Sequence, residues 1–356
     1  MGEIKLMKGN EALAEAMIRE GCDAYFGYPI TPQSEVLEYL SIDAHKRTGM
    51  VVLQSESEVS AINMVYGAAA AGKRVMTTSS SPGMSLMQEG ISYIASAELP
   101  CVLANVMRGG PGLGTIQPSQ GDYFQSVKGG GHGDYHMIVL APSSVQEMVN
   151  YVGLGFELAE KYRTPVMLLA DGAIGQMMEK VELPDQKPRK TVFPDWATTG
   201  KIAGKPRRYI TSLNIKPEEM EKINHILQNK YAEITKNEVR YVTKNIEDAE
   251  YIFTGFGLGA RICTKAMEIA REKGYKVGMI RPQTVWPFPT EIYNKTSKNL
   301  KGILCVEMNA GQMVEDVKLS VNGQCPVEFY GRTGGMLPSP DEIIEKFEEC
   351  FIKGGK

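Results

Sequence analysis

A rhythm in the chain limits its folding more than any single motif does. Short apolar segments at 24–26, 51–54, 74–78, 102–107, 137–141 and 166–170 each run into glycine, proline or hydroxyl residues and then into a stretch of helical spacing. One such stretch, opened by Ser143 or Ser144, sets Val145, Met148, Val149, Val152 and Phe156 on one face. Strands alternating with helices in this way build a parallel, doubly wound sheet, so the fold class is α/β. The rhythm restarts with apolar segments at 251–254, 276–280, 303–306 and 327–330, and closes on a helix opened by Ser339-Pro340-Asp341-Glu342, a capping box with proline at its first position. Between the two halves, Pro184 to Gly204 shifts to Pro, Lys, Thr and Gly without a period, as a surface linker does, and 217–241 has helical spacing in Met220, Ile223, Ile226 and Leu227. These shifts predict a doubly wound domain at 1–184, a linker and bridging helix at 185–247, and a second doubly wound domain at 248–356. Near the N-terminus, Asn10 is expected to cap a helix that ends at Gly21, and Thr31 to cap another with Pro32 at its first position.

Composition removes several functions. The net charge is only -3 and the 39 Lys and Arg are spread along the chain, which leaves no footprint for nucleic acid. No apolar run reaches the roughly 18 residues that span a bilayer, and Glu3 stands where a signal peptide would be basic. The cytoplasm is the expected address, with no membrane partner. The six cysteines have no paired spacing and the four histidines no ligand spacing, so no metal site made by this chain alone is expected.

Two carboxylates, Glu56 and Glu58, open a run from Val59 to Ala71 whose only strongly polar residues are Ser60 and Asn63. A helix so apolar is expected to be buried all round. Acids at its start gain from the helix dipole, and Ser55 and Glu58 have the spacing of a capping box. The same place suits acid-base chemistry, and the segment alone leaves both readings open. Arg108 ends an apolar strand before two glycines, where its planar fork can grip a carboxylate. The Gly129–His136 loop carries His132, able to move protons near neutral pH, or is simply solvated. The turn Gly255-Phe256-Gly257-Leu258-Gly259 follows a strand as a dinucleotide-binding turn does, but no acid ends the next strand, where Met279-Ile280-Arg281-Pro282 stands. Tight strand-helix packing explains the glycines as well. Asp171-Gly172 is part of a metal-diphosphate pattern that lacks its asparagine.

Taken together, Gly27-Tyr-Pro-Ile-Thr-Pro32, Glu56-Ser-Glu-Val-Ser-Ala-Ile-Asn63, Ser81-Pro-Gly-Met-Ser-Leu86, Arg108-Gly-Gly-Pro-Gly112 and Arg281-Pro-Gln-Thr-Val-Trp-Pro-Phe-Pro289 resemble the alpha subunit of the 2-oxoacid:ferredoxin oxidoreductases. The resemblance covers nearly the whole chain and is greatest to the 3-methyl-2-oxobutanoate (2-oxoisovalerate) type, with 2-oxoglutarate and pyruvate types as alternatives. It implies a first domain that binds the pyrimidine of thiamine diphosphate and a second that is transketolase C-terminal-like. By position before Gly67 it selects Glu58 over Glu56 as the catalytic, cofactor-binding acid, and it assigns Thr31 to cofactor and substrate and Arg108 to the substrate carboxylate. It further implies a hetero-oligomer of alpha and beta subunits, with an occasional gamma subunit, in which the beta and gamma chains hold magnesium and the iron-sulfur clusters. Coenzyme A would accept the acyl group and ferredoxin the electrons. Two rival classes are a nicotinamide-dependent dehydrogenase, which would use the Gly255 turn, and a non-catalytic scaffold.

Overall fold

The computed structural model describes residues 2–190, 192–201, 203–204 and 206–353. Its strands are β1 (Glu3–Lys8), β2 (Ala24–Gly27), β3 (Val51–Gln54), β4 (Val75–Ser79), β5 (Cys101–Met107), β6 (Ile138–Leu140), β7 (Pro165–Asp171), β8 (Met178–Leu183), β9 (Tyr241–Lys244), β10 (Tyr251–Thr254), β11 (Val277–Pro282), β12 (Thr284–Trp286), β13 (Gly302–Glu307) and β14 (Val327–Gly331). Among them run helices α1 (Gly9–Arg19), α2 (Ser34–Thr48), α3 (Glu58–Ala70), α4 (Ser81–Ser96), α5 (Tyr123–Val127), α6 (Val145–Tyr162), α7 (Gly172–Gln176), α8 (Pro217–Asn237), α9 (Gly257–Glu272), α10 (Thr290–Ser297), α11 (Met313–Val321) and α12 (Pro340–Phe347).

Strands β5 and β7 are buried along their whole length, as the near-continuous apolar runs of a sheet covered on both faces should be. They lie at the centre of a seven-stranded sheet ordered β12-β6-β7-β5-β4-β2-β3, parallel except for β12. A second sheet is ordered β14-β13-β10-β11-β9 and is parallel except for β9. Strands β1 and β8 form a separate antiparallel ribbon. The α/β class and two wound sheets agree with the rhythm of the sequence.

Several local expectations change. Asn10 does not cap α1, which begins at Gly9. It is fully buried and donates to Pro32 O at 2.6 Å and to Glu35 at 3.1 Å, holding the turn after β2. Thr31 caps nothing either: α2 starts at Ser34 because Ile30 to Gln33 closes a turn of its own, Gln33 N–H to Ile30 O at 3.0 Å. Helix α3 is not buried all round, since Val59, Asn63 and Gly67 are exposed. In α8 the buried face is Leu227, Tyr231 and Ile234, while Ile226 faces solvent. The segment expected as a loose linker, of which residues 191 and 202 lie outside the described residues, is pinned beneath the first sheet by Arg189 on Asp23 at 2.8 Å and by buried Ala197.

The second half also reaches back. Arg281 grips Glu147 of α6 with both terminal nitrogens, at 2.8 and 2.6 Å, and β12 then adds itself to β6. Trp286 stacks on the His136 ring at 4.6 Å, with Tyr231 edge-on to both. Because β2, β4, β5 and β7 are parallel, their C-terminal ends share one edge of the first sheet, where ligands of parallel sheets bind.

Candidate active site

Glu58 is the first residue of α3, and the structure rejects the Ser55 capping box. The cap is Ser57, whose side chain accepts from Ser60 N–H at 3.2 Å, while Ser55 Oγ donates to Ser57 O at 2.9 Å. Freed from capping, the Glu58 side chain is 5% exposed and makes no hydrogen bond or ion pair among the described residues. Glu56 is exposed. The Glu58 carboxylate lies across the Cα of Gly83 in α4: a Cβ there would fall 2.5 Å from Glu58 Oε1 and 2.0 Å from Ser79 Oγ. Ser79 and the N-cap residue Ser80 are completely buried, and neither hydroxyl has a partner. Buried polar groups are nearly always satisfied, so an unpartnered acid beside the unpartnered Ser79 hydroxyl forms a polar socket lacking its complement.

Arg108 continues from β5 and is 7% exposed. Its two terminal nitrogens donate to Thr31 O and Leu113 O, both at 2.9 Å, and its buried Nε has no acceptor. The structure therefore joins Thr31 to Arg108 through the Thr31 carbonyl, and the arginine's fork is partly spent on bracing the 109–114 loop. Beside it, Asp122 accepts from Ser81 Oγ at 2.6 Å and Asn105 Nδ2 at 2.9 Å, and Ser81 Oγ in turn accepts from Arg108 N–H at 3.0 Å. Burial pushes the Asp122 carboxyl up, against these two hydrogen bonds. Ser81, Arg108, Gly110, Asp122, Asn309 and Thr333 are among the residues lining a cavity of about 630 Å³ between the two sheets, within the size range of ligand sites. A second cavity of about 330 Å³ lies at the opposite edge, under Phe193 and Trp196. Of its ionic residues, Arg74 and Lys190 pair with Glu160, Asp23 pairs with Arg189, and Lys73 lies over the Phe193 ring.

The glycine turn after β10 is filled by the protein itself. Asp171 Oδ2 accepts from Leu258 N–H at 2.8 Å and Oδ1 from Ile174 N–H at 3.2 Å. Gly257 has φ +53°, and a Cβ on it would fall 2.6 Å from that carboxylate. An anion already sits where a dinucleotide phosphate would sit, which removes the dehydrogenase reading and gives Asp171 a structural role instead of a metal-diphosphate one. Glu307 does the same for α11, accepting from Gln312, Met313 and Val314 N–H at 2.8 to 3.2 Å. His132 is exposed and joins none of these groups. Ser79, Ser80, Gly83, Asn105 and Asp122 were not singled out by the sequence. The hydroxyl run 79–81 after a strand was the available signal for the serines, but nothing local shows that Gly83 is where acid and hydroxyl meet.

Comparison with known proteins agrees with this geometry. Residues 15–248 match the family model described as pyruvate flavodoxin/ferredoxin oxidoreductase, thiamine diphosphate-binding, and residues 249–343 match pyruvate:ferredoxin oxidoreductase core domain II. The chain is 48% identical over 345 residues to the ketoisovalerate oxidoreductase subunit VorB of Methanothermobacter marburgensis, covering 97% of each. It is 36% identical over 364 residues to the 2-oxoglutarate synthase subunit KorA of Methanocaldococcus jannaschii, covering 96% of this chain and 98% of the relative. Among solved structures, the 2-oxoglutarate:ferredoxin oxidoreductase from Magnetococcus marinus superimposes with a TM-score of 0.87 at 28% identity over 98% of this chain, which spans 65% of that one. A split-gene transketolase shares the fold alone, at a TM-score of 0.58 and 11% identity, with 97% of this chain and 98% of that one covered. A buried acid left without a partner, an arginine at the edge of a cavity between two wound sheets, and matches along nearly the whole length converge, and the chain belongs to the pyruvate flavodoxin/ferredoxin oxidoreductase family, as an alpha-type subunit of a 2-oxoacid oxidoreductase.

Proposed function

We propose that this chain is the alpha subunit of an enzyme that decarboxylates 3-methyl-2-oxobutanoate oxidatively, with thiamine diphosphate as cofactor, coenzyme A as acyl acceptor and ferredoxin as electron acceptor. The observation that carries the reading is the pair Glu58 and Ser79 over the bare Cα of Gly83: a buried acid and a buried hydroxyl, neither with a hydrogen-bond partner among the described residues, suited to a polar heterocycle. Glu58 would hold the aminopyrimidine of the cofactor, with Thr31 near the same rim. When bound, thiamine diphosphate supplies the nucleophilic carbon and stores the electrons released with carbon dioxide. Glu58 would hold or give a proton at the ring nitrogen, and its burial would keep water from competing for that proton. Arg108 would orient the substrate through the substrate carboxylate, for which its unpartnered Nε–H and the second N–H of each terminal nitrogen are the remaining donors. Among the described residues lining the cavity, Arg108 is the only cation, which favours a monocarboxylate with an apolar tail over a dicarboxylate. The relative named for ketoisovalerate supports the same substrate.

Residues 1–184 then act as the pyrimidine-binding domain, 185–247 as the connection and 248–356 as the transketolase C-terminal-like domain. A beta subunit completes the site. Exposed Val51 and Leu53 on β3, Val59 on α3 and Leu86 on α4 offer apolar contact on the elements around Glu58, and such surface marks an interface. Magnesium and the iron-sulfur clusters belong with the beta or gamma chain in this reading. All six cysteines here are free and five of them are buried. No helix among the described residues is long and apolar enough to cross a membrane, and we place the complex in the cytoplasm.

The test is reconstitution with a matched beta subunit and a panel of 2-oxoacids, read as coenzyme A-dependent reduction of ferredoxin. Highest kcat/KM for 3-methyl-2-oxobutanoate, and no tight calorimetric binding of thiamine diphosphate by the isolated chain, are expected. A preference for 2-oxoglutarate, or strong binding by the chain alone, overturns the assignment.

A further inference from the structure

Ser79 ends β4 and Glu58 begins α3, and their side chains meet over Gly83 of α4. A Cβ on Gly83 would collide with the Ser79 hydroxyl at 2.0 Å and with Glu58 at 2.5 Å for Oε1 and 2.9 Å for Cγ. The acid and the hydroxyl are thus near neighbours over one bare Cα, and no hydrogen bond joins them in the chain alone. Ser79 is completely buried and its Oγ has no partner. A hydroxyl is destabilising in such a place unless something satisfies it. Its own helix does not: the α4 cap position is Ser80, and the first turn is served by Gly83 N–H on Ser80 O at 2.8 Å and Ser81 N–H on Asn105 Oδ1 at 3.1 Å. The unpartnered group that meets it over Gly83 is the Glu58 carboxylate.

We propose that Ser79 is a positioning residue for Glu58: in the filled site its O–H donates to the Glu58 oxygen turned away from the ligand, so that the other oxygen faces the heterocycle's ring nitrogen. Gly83 is the residue that lets the two meet. The proposal rests on the thiamine-diphosphate reading above and deepens it, because a carboxyl must be held in one orientation to exchange a proton with one atom.

The experiment uses the assembled complex of this chain with its beta subunit, and calorimetric titration with thiamine diphosphate. Ser79→Ala weakens binding about tenfold, the effect of one hydrogen bond to a charged group. The thermal midpoint of the cofactor-free complex stays level or rises, because a buried hydroxyl without a partner has been removed. In a Glu58→Ala background the further change Ser79→Ala leaves affinity unaltered, since the hydroxyl acts through the acid. Wild-type affinity in Ser79→Ala, or an equal loss in both backgrounds, overturns the proposal while leaving the cofactor assignment standing. A drop in both affinity and cofactor-free midpoint makes Ser79 a structural residue and overturns it too. If the wild-type complex fails to bind thiamine diphosphate, the functional reading itself fails and this inference with it.

Discussion

Glu58 shows how a single position acquires chemistry by having its ordinary duty taken away. Ser57 caps α3, so the carboxylate is free of the helix that presents it, and Gly83 gives it room. Glu58→Gln should therefore leave the unfolding midpoint of the chain where it is, because no hydrogen bond of the fold is lost. In the assembled complex, exchange of the thiazolium proton followed by NMR should slow by on the order of 10² to 10⁴, as for a lost acid-base group. Normal exchange in Glu58→Gln with slow exchange in Glu56→Gln would mean that the exposed acid does the work. Arg108 is different, since its fork already braces Thr31 and the 109–114 loop. Arg108→Lys should raise KM for the 2-oxoacid by about 10- to 100-fold, the effect of losing hydrogen bonds to a charged group. Cofactor affinity should change little, and equal damage to both would point to collapse of the loop.

At the scale of elements, α1 and α2 are tied by a buried carboxylate. Glu15 of α1 accepts from both terminal nitrogens of Arg47 on α2, at 2.7 and 2.8 Å, and from Arg19 Nε at 2.6 Å. Burial pushes Glu15 up, but the hydrogen bonds from Arg47 and Arg19 prevail and hold it down at about 2. A carboxylate depressed in the fold stabilises it at pH above the unfolded value of 4.5, and that contribution fades as pH falls toward about 2. Its size is on the order of 3 kcal/mol. Urea midpoints followed across this window should fall with acid, and Glu15→Gln should flatten the slope; an unchanged slope would show that other carboxylates govern acid unfolding. The tie matters to the site because α1 also carries Asn10, which holds Pro32 and with it the turn that bears Thr31.

For the whole molecule, the decisive contacts lie between the sheets. Asp171 starts α9 of the second sheet from the end of β7 in the first, Gln120 Nε2 donates to Phe256 O at 2.8 Å, and Asn309 Nδ2 to Gln120 O at 2.8 Å. Asn309 also lines the cavity that Arg108 lines, as do Ser119 and Gly121 on either side of Gln120. Asp171→Asn keeps the volume but turns a donor toward one of the amides now satisfied. It should cost about 1–3 kcal/mol in chemical denaturation, the penalty of an unsatisfied buried group. No loss of stability would show that the carboxylate does not tether the second sheet.

How much was legible beforehand follows from the range of each signal. Periodicity and turn chemistry are local, so the alternation of strands and helices, the α/β class, the α6 face and the Ser339 cap could be read directly from residues a few positions apart. The five motifs, taken together, carried the family, because their order along the chain needs no coordinates. The cap at Asn10 was misread because its side chain is taken by distant Pro32 and Glu35, and the cap at Thr31 because the Ile30 to Gln33 turn delays α2 to Ser34. Strands β1, β8, β9 and β12 are short or half exposed, and their pairing rather than their pattern makes them strands. The glycines of the Gly255 turn looked the same whether they faced a phosphate or Asp171, and only tertiary structure put Asp171 there. The sequence alone determined the alternation of the core strands and helices, the α/β class and the family they compose. Tertiary structure decided which polar groups are left without partners, because burial and hydrogen-bond satisfaction depend on residues distant in the chain.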